Sequence, residues 1–271
     1  MVRGGPGAGA VRDAVRLALG TFTVLPVRPP TQVDRRTAGR AMVLAPVVGL
    51  ILGVAGVAVL WLCRDASPLL AATLAVALLA VLTRGIHLDG LADTADGLGS
   101  GKPRHQALAV MRTGDIGPFG VVTTVLTLLV QVSALGSAAT GPRGPSSLVV
   151  ALVASRLVVP LVCSRGVPAA RGDGLGSVVA GSVSLTGVVV AGALAAAALA
   201  LGTLLDVLGD PAASLPLARP LWTLVSVTGP LLLAGLLAGR CVHRLGGVTG
   251  DVLGACVEVS FTASLVISSF G

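Results

Sequence analysis

Charge is scarce in this chain. Of its 271 residues only 11% are Asp, Glu, Lys or Arg, against 54% hydrophobic, and the mean hydropathy is +0.94. A soluble domain carries charge on about a quarter of its residues. The 19 basic and 12 acidic residues here are too few to cover one, even if none were buried. Disordered and fibrous classes fall with the soluble one. Aromatic residues make up 2% and tyrosine is absent. That argues against a barrel girdled by aromatic belts and, with the long apolar runs, for helices. The four cysteines, Cys63, Cys163, Cys241 and Cys256, are far apart without a CxxC pair. Neither a zinc site nor a disulfide framework is indicated, which leaves small core residues.

What is present in abundance is apolar sequence long enough to cross a bilayer. Runs near 41–62, 66–83, 119–139, 147–163, 178–205, 221–239 and 251–270 predict an all-α, polytopic transmembrane bundle of about seven spans. The stretch 11–25 is shorter and carries Arg12, Asp13 and Arg16, so it reads as an amphipathic interfacial helix. With the N-terminus cytoplasmic, the cytoplasmic segments hold 15 of the 19 basic residues. Only Arg64, Arg143 and Arg219 fall opposite, and Arg156 lies within a span. This asymmetry predicts N-terminus in. Trp61 and Trp222 then fall at the outer interface, and the net charge of +7 needs no nucleic acid. The whole chain is expected to form one integral membrane domain, with a cytoplasmic segment over 1–40 and an Asp/Gly-rich cytoplasmic loop over 84–118.

The acids are uneven. Asp89, Asp93 and Asp96 fall in HLDGLADTADG, just after the second span. At helical spacing i, i+4, i+7 they share one face, within roughly 60°. Like charges so placed repel. They read either as a solvated helix end paired with Arg84, Arg104 and Arg112, or as a set awaiting a cation. Oxygen-only clusters suit Mg2+, which completes its octahedron with water and phosphate oxygens. His87 reads equally as a ligand or general base and as a structural hydrogen-bond partner. Glycines punctuate residues 85–120, where bare backbone can offer N–H groups to phosphate. Two further Gly-rich stretches, ARGDGLGS (170–177) and RLGGVTGDVLGA (244–255), bring Arg171, Asp173, Gly247 and Asp251 to the same predicted face of the membrane. A convergent cytoplasmic pocket is expected. Arg156 and Glu258 sit inside apolar spans, where an unpaired charge costs at least roughly 2.5 kcal/mol. They are either each other's partner, or Arg156 reaches phosphate as a clamp.

HLDGLADTADGLGSG, MRTGDIGPFGV, ARGDGLGS and RLGGVTGDVLGA, in this order in a multi-span chain, resemble the cobalamin synthase (adenosylcobinamide-GDP ribazoletransferase) family over nearly the whole length. TFTVLPV (21–27) is similar to a weaker form of that family's opening segment. The resemblance implies an inner-membrane, Mg2+-dependent enzyme with its active site facing the cytoplasm. It would join adenosylcobinamide-GDP to alpha-ribazole or its 5'-phosphate and release GMP. It implies metal binding by Asp89, Asp93, Asp96 and Asp251, and proton acceptance by His87 or one of the aspartates. Phosphate or substrate contacts fall to Arg112, Arg156, Arg171 and Gly247. Many members carry Asp-Ser after Met-Arg, whereas Thr113 and Gly114 follow Arg112 here; Asp115 is the acid nearest that role. The expected partners are these two substrates and the bilayer, with no nucleic acid and the oligomeric state left open. The Asp/Gly run also resembles, in part, that of the CDP-alcohol phosphotransferases. A transporter is the reading from a different class, favoured by intramembrane charges but not by acids gathered at the rim.

Overall fold

The computed structural model describes residues 7–140, 144–209 and 218–270, and for 8, 201–209 and 218–220 the backbone alone. These residues form twelve helices and no strand: α1 (Ala8–Phe22), α2 (Arg35–Val43), α3 (Ala45–Leu62), α4 (Pro68–Leu82), α5 (Ile86–Gly99), α6 (Arg104–Val110), α7 (Pro118–Ala139), α8 (Gly144–Val162), α9 (Gly174–Val179), α10 (Leu185–Gly209), α11 (Ala218–Leu245) and α12 (Gly250–Ser269). Among them α3, α7, α8, α11 and α12 are long and apolar enough to cross a membrane, and α4 with α5 makes a sixth only when the bent pair is counted as one span. The apolar stretch Leu185–Ala200 of α10 is shorter. All seven predicted spans fall mainly on helices, but among the described residues only five of these, or six with the bent pair, are long and apolar enough to cross, fewer than the seven expected. Of the basic residues assigned to the opposite side, Arg143 and the side chain of Arg219 lie outside the described residues.

Local signals set the helix starts. Asp34 caps α2 by accepting from Thr37 N at 2.7 Å, and Thr249 caps α12 by accepting from Val252 N at 3.2 Å. Ser67 with Pro68, and Gly117 with Pro118, open α4 and α7 in the way proline at the first helical position favours. Apolar burial then orders the layers. In α8 and α12, 67% and 61% of the most apolar window is buried, against 28% in α7 and 22% in α11. The first two are therefore the central helices, and the latter two turn their leucines and valines outward, as a lipid-facing helix does. With lipid outside, close backbone approach replaces the hydrophobic effect as the packing force between helices. Gly49, Gly53 and Gly56 make one stripe of α3, and a Cβ at Gly49 would fall 2.4 Å from the carbonyl oxygen of Leu152 on α8.

The segment expected to be a loop over 84–118 is instead largely helical. α5 and α6 occupy residues 86–99 and 104–110. The chain turns by 87° between α4 and α5. At the corner Arg84 and Gly85 both have positive φ, 55° and 64°, and Gly85 N donates to Ala80 O at 2.8 Å, closing the end of α4. Arg84 Nη2 donates to Gly20 O at 2.9 Å and Val24 N to Leu82 O at 2.7 Å, so the end of α1 and the segment after it fasten the corner. α1 buries Ala14, Ala18 and Phe22 against the bundle and leaves Val11, Arg12 and Val15 exposed, so one face packs on the protein and the other carries both apolar and charged side chains. α11 runs on to Leu245, six residues past the predicted span, because its polar end packs against α6.

Candidate active site

The three aspartates of α5 do share a face, and the structure grades their exposure: Asp89 is exposed, Asp93 half-buried and Asp96 buried. The neighbouring face of α5 is glycine. A Cβ at Gly90 would lie 2.7 Å from Asp251 O and 2.9 Å from Asp251 Cα, and one at Gly254 would lie 3.1 Å from His87 Cα. The two helices therefore cross backbone against backbone, which only glycine allows. This crossing sets Asp251, in the first turn of α12, beside the acidic face of α5. Asp93 consequently lies in the field of Asp89, Asp96 and Asp251, with Arg171 the nearby cation.

The other segments reach the same end of the bundle through backbone pairing. Val248 N donates to Pro168 O at 2.9 Å and Ala170 N to Val248 O at 3.0 Å. Gly247 lies flat against that strand-like contact, where a Cβ would come within 2.5 Å of Pro168 O and Ala170 N. Arg171 is thereby delivered to the acids: Nη2 donates to Leu108 O at 2.7 Å, and Nη1 stands 3.9 Å from Asp251 Oδ2. Thr249 Oγ1 donates to the same Oδ2 at 3.1 Å. Arg112 pairs with Asp173 across the mouth of this region, and that guanidinium holds the Asp173 carboxyl below the usual carboxylate range. Residues 86–99, 104–120, 168–177 and 246–254 thus meet at one end, as their shared acid and glycine content suggested.

Asp96 has a particular engagement. Its two carboxylate oxygens accept from Gly117 N at 2.7 Å and Gly120 N at 2.9 Å, the free amides at the start of α7. A Cβ at either glycine would fall 2.4 Å from an Asp96 oxygen, so the GPFG sequence is shaped to receive a carboxylate. In this structure Asp96 is the tie between α5 and α7. Asp96→Asn, which offers one acceptor and turns an N–H2 toward an N–H, should cost about 2–3 kcal/mol. By thermal unfolding in detergent that is a drop of roughly 5–10 °C, whereas exposed Asp89→Asn should leave the midpoint unchanged.

Three residues assigned to the site from sequence lie elsewhere or stand apart in role. His87 is on the opposite face of α5, buried, its ring stacked on Phe22 at 6.1 Å and its two nitrogens without a hydrogen-bond partner. Arg156 is inside the bundle, donating from Nη1 to Ser155 Oγ at 2.8 Å, with Phe261 under the guanidinium. Asp115 is exposed in the turn between α6 and α7. Sequence reasoning missed Thr249, and it read Arg104 as a partner of the acids and the glycines as phosphate-facing backbone, where the structure uses both to pack segments together. Arg104 lies against Gly246 and donates to Ala170 O at 3.2 Å, locking the two loops. Thr249 was legible as a cap, since Thr-Gly-Asp opens an apolar run; the Gly90 contact was not, because nothing in α5 names its partner.

Fold and site together define a polytopic helical membrane protein with an acidic, arginine-flanked site at one end of its bundle. A family model described as cobalamin-5-phosphate synthase matches residues 14–269. Curated relatives named adenosylcobinamide-GDP ribazoletransferase include one from Frankia casuarinae, 40% identical over 93% of this chain and 92% of its own. Another, from Nocardioides sp., is 42% identical over 94% and 98%, and one from Pseudomonas aeruginosa is 36% identical over 94% and 98%. No solved structure matches significantly. The chain belongs to the cobalamin-5-phosphate synthase family.

Proposed function

We propose that this protein transfers the adenosylcobinamide phosphate group of adenosylcobinamide-GDP to alpha-ribazole or its 5'-phosphate, releasing GMP, at a site on the cytoplasmic side of the inner membrane. The observation that carries this reading is the meeting of Asp89, Asp93 and Asp251 with Arg171 and Arg112 at one end of the bundle, in a chain of this family. The reaction needs such a set. A ribose hydroxyl attacks the cobinamide-proximal phosphorus, the new O–P bond forms, the bond to the GMP oxygen breaks, and the hydroxyl proton must go to a base.

Among the described residues no three acidic, histidine or cysteine side chains converge closely enough to cage a metal by themselves. Mg2+ does not require that: it binds through one or two carboxylates and takes its remaining oxygens from water and phosphate. The all-oxygen donor set of Asp89, Asp93 and Asp251 fits it, while Asp96 is already committed to backbone amides. Bound there, Mg2+ would neutralise charge on the pyrophosphate oxygens as the leaving group departs. Arg171, held by Leu108 O beside Asp251, orients a phosphate without leaving its anchor. Arg112, exposed and paired with the equally exposed Asp173, can exchange that carboxylate for a phosphate at little cost. Proton acceptance falls to Asp93 or Asp89, since the buried ring of His87 faces Phe22.

Purified protein in detergent, given adenosylcobinamide-GDP, alpha-ribazole and Mg2+, is expected to release GMP and cobalamin in equal amounts, and to stop when a chelator is added. Release that persists undiminished in chelator would remove the metal from the proposal. Absence of both products from folded protein supplied with lipid and Mg2+ would remove the reaction.

A further inference from the structure

Within the bundle, apart from the acidic site, lies a second polar centre. A cavity of about 20 Å3 between α4, α5, α7, α8 and α12 is walled mostly by aliphatic side chains, yet Gln131, Arg156 and Glu258 also line it. Each of these three is more than nine-tenths buried. Glu258 accepts from Gln131 Nε2 at 2.8 Å, and Gln131 Nε2 also reaches Thr262 Oγ1 at 3.0 Å. The guanidinium is worse served: Nη1 donates to Ser155 Oγ, Nε has no hydrogen-bond partner, and among the described residues no carboxylate stands within 4 Å of Arg156. A planar group with five N–H donors, buried at this depth, requires acceptors.

The size and walls of the cavity select the occupant. Roughly 10–15 Å3 of such space admits one water, so a phosphate is too large for it. A single carboxylate is a poor cage for a divalent cation, and the neighbouring arginine would repel one. A water fits: it accepts from Arg156 and donates to Glu258, whose second oxygen has no hydrogen-bond partner among the described residues. We infer that this cavity is a built water site, and that Arg156 and Glu258 form an ion pair joined through the water, which fastens α8 to α12 and, through Gln131, to α7.

The pair is tested by its coupling, read as thermal midpoint in detergent. Arg156→Met or Glu258→Gln alone leaves one buried charge without its counterpart and should lower the midpoint by about 10 °C. The double variant Arg156→Met/Glu258→Gln removes both charges and should recover more than half of that loss. A double variant whose loss equals the sum of the singles would overturn the pairing. Should the single variants fail to accumulate in membranes, the double is expected to accumulate, and its absence as well would be equally decisive against the pair. Replacing chloride with gluconate should leave the wild-type midpoint unmoved. A saturable stabilisation by chloride that Arg156→Met abolishes would instead make the cavity an anion site. None of these readings depends on catalytic turnover, so they stand apart from the fate of the proposed transfer reaction.

Discussion

Replacing Asp93 with asparagine is expected to lower GMP release by roughly 1,000-fold while leaving the amount of protein in the membrane at the wild-type level. Asp93 is half-buried at the centre of the acidic face, with Asp89, Asp96 and Asp251 around it and Arg171 as the nearby cation. Asparagine is nearly the same size, so packing survives. It removes a charge that would hold Mg2+ and an oxygen that would take the hydroxyl proton, and losses of two to three powers of ten are usual when one such electrostatic contact is deleted. Because the substitution also relieves repulsion among like charges, the thermal midpoint should hold steady or rise. The decisive comparison is turnover against midpoint in one preparation. Near-wild-type turnover would detach Asp93 from the chemistry. A large fall in midpoint would make it a structural residue like Asp96.

The second large effect comes from a residue with no side chain. Gly90→Val should cost roughly 3 kcal/mol or more and reduce turnover by at least about 100-fold, since the added carbons have backbone, not a flexible side chain, in their way. The helices must part by something near 1 Å, which shifts Asp251 relative to Asp89 and Asp93, and misplacement on that scale is enough to cost two powers of ten. Gly192→Ala on α10 is the matched control, because a Cβ there meets nothing within 4 Å. It should be neutral or slightly stabilising, as expected for alanine replacing glycine inside a helix. If Gly90→Val unfolds at the wild-type midpoint and turns over normally, α5 and α12 do not cross as closely as described.

Much of the site was readable along the chain because the periodicity of a helix is local. The spacing of Asp89, Asp93 and Asp96 fixes their common face wherever α5 happens to lie. The Gly-rich character of ARGDGLGS and RLGGVTGDVLGA marked them as convergent segments, and in the structure Gly176 packs on Thr249 and Gly247 on Pro168, backbone against backbone. What could not be read was which group answers each residue. Asp96 looked like its two neighbours, yet its oxygens are occupied by amides 21 and 24 residues away. His87, two residues before Asp89, is turned by that same periodicity to the opposite face, where Phe22 of α1 covers it. The stretch over 84–118 read as a loop because its polar and glycine content is high for a membrane chain. It is helical because glycine's cost in a helix, about 1 kcal/mol each, is outweighed by the close packing against α12 and Met111 that only glycine permits.

Composition alone determined that the chain lives in a bilayer and is helical, since backbone polar groups in hydrocarbon must be satisfied within their own segment. The order of residues also determined where the apolar helices fall and that acids and glycines cluster between them. Tertiary structure decided which aspartates face one another, which one serves as a helix tie, and that Arg156 and Glu258 occupy a separate buried centre. Those outcomes depend on contacts between residues as far apart in the chain as Gly90 and Asp251, and such contacts are set by how glycine stripes let helices cross, a geometric property of pairs of helices that no single segment contains.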